Sequence, residues 1–185
     1  MQMQISSAPL LTAAKLAELV ALGHNRISQI YLHWTAGRYG QLYDDYHFNI
    51  DADGSIYQTC TQLTELKSHT WHRNTGAIGI ALCCACGALP HNGRDTEFGK
   101  FPPTPRQIDA AGKLVAALAQ GLNIPIDRWN VLTHCEAALI DGFAELQYIV
   151  DNHALSTHLQ IVKRDAQTGA SVPLAGFTFQ LLDSN

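Results

Sequence analysis

Three residues in this chain have the type and placement to do chemistry together: His33, Tyr46 and His134. His33 closes the segment Ile27-Ser28-Gln29-Ile30-Tyr31-Leu32 and leads into Trp34-Thr35-Ala36-Gly37. His134 follows a second apolar stretch in Leu132-Thr133-His134-Cys135-Glu136, and Tyr46-His47-Phe48 opens a third segment. A neutral imidazole is both a metal ligand and a proton carrier near pH 7, and nine His are present. Two His at the ends of neighbouring strands could bind one metal ion from a single sheet edge. Catalytic zinc takes three protein ligands, keeps a further position for water, and polarises carbonyl oxygens. A nearby phenol could donate a hydrogen bond to a developing oxyanion. Taken singly, a strand-end His is usually structural, and a strand Tyr usually packs against a cross-strand neighbour.

The elements that would position these groups follow from periodicity. A helix is expected over Thr12–Leu22, where Leu11, Leu16, Leu19, Val20 and Leu22 form an apolar stripe that Gly23 ends. Ile27–His33 reads as a strand. Tyr46–Ile50 and Ser55–Thr59 flank Asp53-Gly54, a strong hairpin signal. Ala77–Cys86 is a run of small apolar residues that suits a buried central strand. Residues His91–Pro105, with Gly, Asp, Lys and Pro, read as a loop. The clearest helix spans Thr104–Leu122, with Thr104 as N-cap, Pro105 in the first turn, and Ile108, Ala111, Leu114, Val115, Leu118 and Leu122 on one face. Trp129–Thr133 reads as a short strand and Phe143–Leu155 as an amphipathic helix. This alternation predicts an α/β domain with a central mixed sheet flanked by helices. From residue 156 the pattern changes to a short β segment, with strands expected at Leu159–Arg164 and Phe177–Leu182.

Composition bounds the function classes. The 185 residues suit one domain with a small appendage, expected as 1–155 and 156–185. A net charge of −4 gives no electrostatic footprint for nucleic acid, and no apolar run reaches the ~18 residues of a spanning helix. Five Cys, three of them at Cys83, Cys84 and Cys86, make a poor disulfide framework and suit a reducing compartment. Cys83 and Cys86 have metal or redox spacing, but their place in an apolar strand favours core filling. Met1–Ser7 lacks a basic region followed by an apolar core, so synthesis and retention in a cytoplasm are expected.

Taken in order, YLHWTAG (31–37), DYHFNIDADGSIYQT (45–59), HTWHRNTGAIGIALCC (69–84), PPTPRQIDAAGKLV (102–115) and NVLTHCEAALIDGF (130–143) resemble the zinc-dependent N-acetylmuramoyl-L-alanine amidases, the family shared by amidase-type phage lysozymes and peptidoglycan recognition proteins. The resemblance implies that His33 and His134 hold Zn2+. It makes Tyr46 the tyrosine that orients or polarises the scissile carbonyl. It places Asn74–Ile80 in the floor of the groove, with Trp34, His69 and Asn74 as substrate contacts. The implied reaction cuts the amide between N-acetylmuramic acid and L-alanine in peptidoglycan. The implied protein is a monomer that waits in the cytoplasm and acts on the cell wall after release. The alternative is a non-catalytic muropeptide-binding module with an incomplete metal site.

The third ligand departs from the family pattern, since the Gly/Pro-rich loop and following Trp that precede it in related sequences are missing. Asp151 is the best candidate by spacing, Asp141 matches the family's Asp-Gly-aromatic turn, and His153 is a further possibility. A solvent-facing Asp151 is the plain alternative. His47 and His72 fall near the same region, and Lys100 and Arg106 could meet stem-peptide carboxylates or simply be solvated. Residues 159–183 also resemble the opening of a prealbumin-like surface-protein repeat, in which Lys163 would sit at an isopeptide-forming position.

Overall fold

The computed structural model describes residues 2–91 and 95–141, with the backbone of two short strands beyond them. Chain order runs β1 (Gln4–Ile5), α1 (Ala13–Gly23), β2 (Gln29–Trp34), β3 (Leu42–Tyr43), β4 (Phe48–Ile50), β5 (Ile56–Gln58), β6 (Ala77–Leu82), β7 (Leu89–His91), β8 (Asp95–Glu97), α2 (Pro105–Leu122), β9 (Val131–Thr133), α3 (His134–Asp141), β10 (Lys163–Arg164) and β11 (Ser171–Val172). Five strands form one sheet in the order β5-β4-β6-β2-β9. β2 is parallel to both β6 and β9, β4 is parallel to β6, and β5 is antiparallel to β4. The expected mixed sheet is therefore present. The β4–β5 turn has Gly54 at φ +87°, a conformation that an L side chain adopts only with strain.

Alternation along each strand sorts the two faces. Ile30 and Leu32 of β2, Phe48 and Ile50 of β4, and Ile78, Ile80 and Leu82 of β6 pack with Leu19 of α1 and Leu114, Val115 and Leu118 of α2 in the main core. The other face of β2 carries Tyr31 and His33. Tyr31 joins Ala77, Leu132 and Ala137 in a small second cluster, which seats α3 on that side.

Helix α2 begins with a capping box. Thr104 Oγ1 accepts from the Gln107 N–H at 3.1 Å, and Gln107 Oε1 accepts from the Thr104 N–H at 2.9 Å. The same Gln107 is fully buried, and its Nε2 donates to the carbonyls of Ile50 and Cys83 at 2.9 and 3.1 Å. One side chain thus satisfies three backbone groups and pins the helix to the sheet. The sequence gives no sign that this first-turn Gln also reaches the sheet.

Some expectations shift. α1 runs through Gly23 rather than stopping before it, and Leu22 is exposed. The stretch expected as a loop at 91–105 includes the β7–β8 hairpin, which pairs Leu89 with Glu97. The residues after β9 turn directly into α3, an element the sequence reading did not place. The helix expected over 143–155 lies outside the described residues. In the tail, Lys163–Arg164 falls within the strand expected at 159–164 and pairs antiparallel with Ser171–Val172, which lies between the two expected strands.

Candidate active site

The pairing of β2 with β9 puts His33 and His134 at the same edge of the sheet, at the carboxyl ends of parallel strands. This is the usual place for a site in such sheets. His33 is the fifth residue of β2, and His134 is the first of α3. The turn from β9 into α3 is locked by a reciprocal clasp. Glu136 accepts from the N–H and hydroxyl of Thr133 at 2.7 and 2.9 Å, and Thr133 Oγ1 accepts from the Glu136 N–H at 3.2 Å. The Thr-His-Cys-Glu motif is thus a capping box that fixes the backbone carrying His134.

The two imidazoles meet nitrogen to nitrogen, with His33 Nδ1 3.1 Å from His134 Nδ1. Burial holds both rings below the ordinary His pKa, and for His33 the neighbouring His134 and His69 push further the same way. Both rings are therefore neutral at pH 7. Two nitrogens at ~2.0–2.1 Å from one tetrahedral zinc stand ~3.3 Å apart, so the observed separation fits a shared ion. Donor type and protonation state fit as well. Among the described residues, no group of three His, Cys, Asp or Glu side chains is placed to complete such a site.

A cleft of about 290 Å³ opens over the pair, lined by His33, Trp34, Tyr46, Ser68, His69, Ile108 and His134 among others. Tyr46 is 4% exposed, and its ring centroid lies 5.1 Å from that of His33. Burial, with a smaller contribution from the Asp45 charge, pushes its phenol well above the ordinary pKa, so it remains an O–H donor at any physiological pH. The hydroxyl oxygen accepts from Gln2 Nε2 at 2.7 Å.

The small-residue face of β6 seats His69. An added Cβ at Gly79 would lie 2.6 Å from His69 Cγ and 2.7 Å from Cδ2. The absence of a side chain at Gly79 is what lets the His69 ring lie on the sheet. Gly79→Ala is expected to destabilise the fold by about 2 kcal/mol through overpacking, seen as a fall in Tm of about 4–8 °C. An unchanged Tm would show that the loop carrying His69 yields freely.

The other sequence candidates separate by role. His69 lines the cleft but is only 5% exposed, and its Nδ1 is 2.9 Å from Thr70 Oγ1. Asn74 lies before β6, not in it, and its side-chain oxygen accepts from the N–H groups of His69 and Thr70 at 3.2 and 2.7 Å. It therefore clamps the loop that carries His69. Trp34 lines the cleft and packs edge-on to Phe98. Asp141 takes a hydrogen bond from Arg73 Nε at 2.7 Å, and Arg73 Nη1 also reaches the Tyr31 hydroxyl at 3.1 Å. Its carboxylate is committed to that ion pair. Asp151 and His153 lie outside the described residues. His72 is exposed beside Trp71, and Lys100 and Arg106 do not line the cleft. Cys83 is a buried free thiol, as core filling requires, whereas Cys86 is only half-buried, in a turn; both lie past the end of β6 at Leu82, which stops short of the strand expected to Cys86.

His47 is structural. Its Nδ1 accepts from the Gly79 N–H at 3.0 Å, so Nε2 carries the proton and donates to the Glu65 carbonyl at 3.0 Å. Burial lowers its pKa to about 4, with Lys67 acting the same way and the Glu65 carbonyl opposing. A folded-state pKa below the ordinary 6.5 means that the unfolded chain binds the extra proton first. The stabilisation is thus full above pH 6.5 and lost as pH falls toward 4. Metal-free protein should lose on the order of 3 kcal/mol from this group across that window. In urea titrations at stepped pH, His47→Gln should flatten the slope by up to about 1 kcal/mol per pH unit. An unchanged slope would assign the acid sensitivity to other groups.

The sequence profile of the N-acetylmuramoyl-L-alanine amidase family matches residues 23–166. The chain belongs to that family. The match covers both His of the facing pair, Tyr46, and every strand of the central sheet. No curated protein matches the chain. Among solved structures, the chain is similar to the Ph2119 endolysin from the Thermus scotoductus MAT2119 bacteriophage Ph2119, at 19% identity over 60% of this chain and 73% of that one, with a TM-score of 0.46. It is similar to the N-acetylmuramoyl-L-alanine amidase LysC from Clostridium intestinale URNW, at 22% identity over 70% and 77%, TM-score 0.44. It is also similar to Drosophila PGRP-LB, at 18% identity over 60% and 71%, TM-score 0.42. No described helix of this family member is long and apolar enough to cross a membrane.

Proposed function

We propose that this amidase-family chain hydrolyses the bond between the lactyl group of N-acetylmuramic acid and the L-alanine of the peptidoglycan stem, with one zinc ion held by His33, His134 and Asp151. The observation that carries the reading is the facing pair of neutral imidazoles, 3.1 Å apart at the cleft in which Tyr46 also sits. An amide carbonyl is a poor electrophile, and zinc bound there would supply Lewis acidity and activate water at neutral pH.

The chain's own groups account for the rest. His33 and His134 stay neutral through burial, so their lone pairs remain available as donors. Tyr46 keeps its proton and can donate it as a hydrogen bond to the oxygen on which negative charge develops. Leu32, Trp34, Leu82 and Ile108 give the cleft apolar walls, which lower the local dielectric and strengthen that hydrogen bond. The cell wall, where this substrate occurs, is the proposed place of action.

The test is to strip the purified protein with a chelator, reconstitute it with zinc, and incubate it with peptidoglycan. One zinc per chain and new L-alanine amino termini are expected. Muropeptide binding without new termini, with zinc in place, would make the chain a recognition module instead.

A further inference from the structure

The hydroxyl of Tyr46 has a partner from a distant part of the chain. Gln2 lines the same cleft as His33 and His134, and its Nε2 donates to the Tyr46 oxygen at 2.7 Å across 44 residues of sequence. The segment is held by several independent contacts. Gln4 pairs with Tyr43 and Ile5 with Leu42 in the β1–β3 ladder. The Met3 N–H donates to Asp45 Oδ2 at 2.6 Å, and the Met3 carbonyl accepts from the Asp44 N–H at 2.9 Å. Gln2 is thus delivered to the cleft by backbone stitching along 42–45, immediately before Tyr46.

We propose that Gln2 is a positioning residue that commits the Tyr46 proton to the substrate. A phenol oxygen can accept one hydrogen bond while its own O–H donates another. With the Gln2 N–H on the acceptor side, the tyrosine proton cannot rotate toward that side and is left for a carbonyl in the cleft. A donor on the phenol oxygen also polarises the O–H and makes it the stronger donor in turn. The inference rests on the catalytic reading of Tyr46 and adds a residue that acts through it.

The experiment compares Gln2→Ala, Gln2→Glu, Tyr46→Phe and the Tyr46→Phe/Gln2→Ala pair on zinc-loaded protein with a muramoyl-peptide substrate. Muropeptide affinity is measured on metal-free protein. Gln2 is exposed, and the stitching around it runs through neighbouring residues, so its replacement leaves the fold intact. Gln2→Ala should lower kcat about 3- to 10-fold, the size of one neutral hydrogen bond, with KM and metal-free affinity unchanged. Gln2→Glu should be slower than Gln2→Ala at pH 7, because a carboxylate can only accept and would draw the tyrosine proton toward itself. In the Tyr46→Phe background, Gln2→Ala should have no further effect.

A Gln2→Ala enzyme as fast as wild type overturns the proposal, and a faster one would make Gln2 an occluding group. Losses that simply multiply in the double variant also overturn it. If Tyr46→Phe is slow while Gln2→Ala is normal, only this inference falls. If Tyr46→Phe itself turns over normally, the role of Tyr46 falls and takes this one with it.

Discussion

His33→Ala is expected to abolish measurable amide hydrolysis and to leave the protein without stoichiometric zinc at micromolar metal. His134→Ala should do the same. Loss of a residue that merely supports a metal ligand lowers affinity or activity ~10- to 100-fold, so removing a ligand should exceed ~10²-fold. The two losses should not multiply, because either substitution already dismantles the site. Folding of the metal-free protein should survive. His33 stands in β2 with its backbone paired to Ala81 of β6, and truncating it relieves a buried polar ring of its desolvation. Zinc stoichiometry by elemental analysis and thermal unfolding of the metal-free variants are the two measurements. Full zinc occupancy in both variants would place the site elsewhere.

Tyr46→Phe is expected to slow turnover by ~10²-fold, or about 3 kcal/mol, the size of one lost oxyanion donor. The ring stays, so its packing beside His33, with centroids 5.1 Å apart, is retained. Zinc content should therefore equal wild type, and the loss should fall on kcat rather than KM. That split distinguishes loss of a transition-state contact from loss of substrate binding. A variant with wild-type kcat would return Tyr46 to being a packed residue of the bend before β4, which starts at Phe48 and not at Tyr46.

The sheet and the facing His pair were legible in the sequence because each rests on a local signal. β4, β5, β6 and β9 fall within segments expected from periodicity and from the Asp53-Gly54 turn, and β2 runs one residue past its segment, to Trp34. His33 and His134 stood at strand ends, and parallel pairing of those strands brings strand ends together. What stayed hidden depends on contacts between distant segments. Gln107 looks like an ordinary helix residue until the Ile50 and Cys83 carbonyls are brought to it. His47 and His69 could not be told apart by type. One has both nitrogens satisfied by backbone groups, of Gly79 in the sheet and Glu65 in a loop, while the other has a buried Nε2 with no hydrogen-bond partner among the described residues. Asn74 matched a substrate position in the family, yet its oxygen serves the loop backbone. The clasp of Thr133 and Glu136 could have been read from the Thr-x-x-Glu spacing alone, and with it the start of α3.

The placement of β9 has a further consequence. Among the described residues it is the outermost strand of the sheet, three residues long and paired only with β2. The two imidazoles that meet across this seam are 101 positions apart in sequence. Sheets open first at short margins, in sub-global steps that cost less than complete unfolding. Detaching β9 with the capped start of α3 would part the two rings while the rest of the core stays closed. Escape of a shared ion should then follow the opening rate of this margin. Amide hydrogen exchange at Leu132 and Thr133 should slow when zinc is added, more than at Ile78 or Ile80 in the sheet interior.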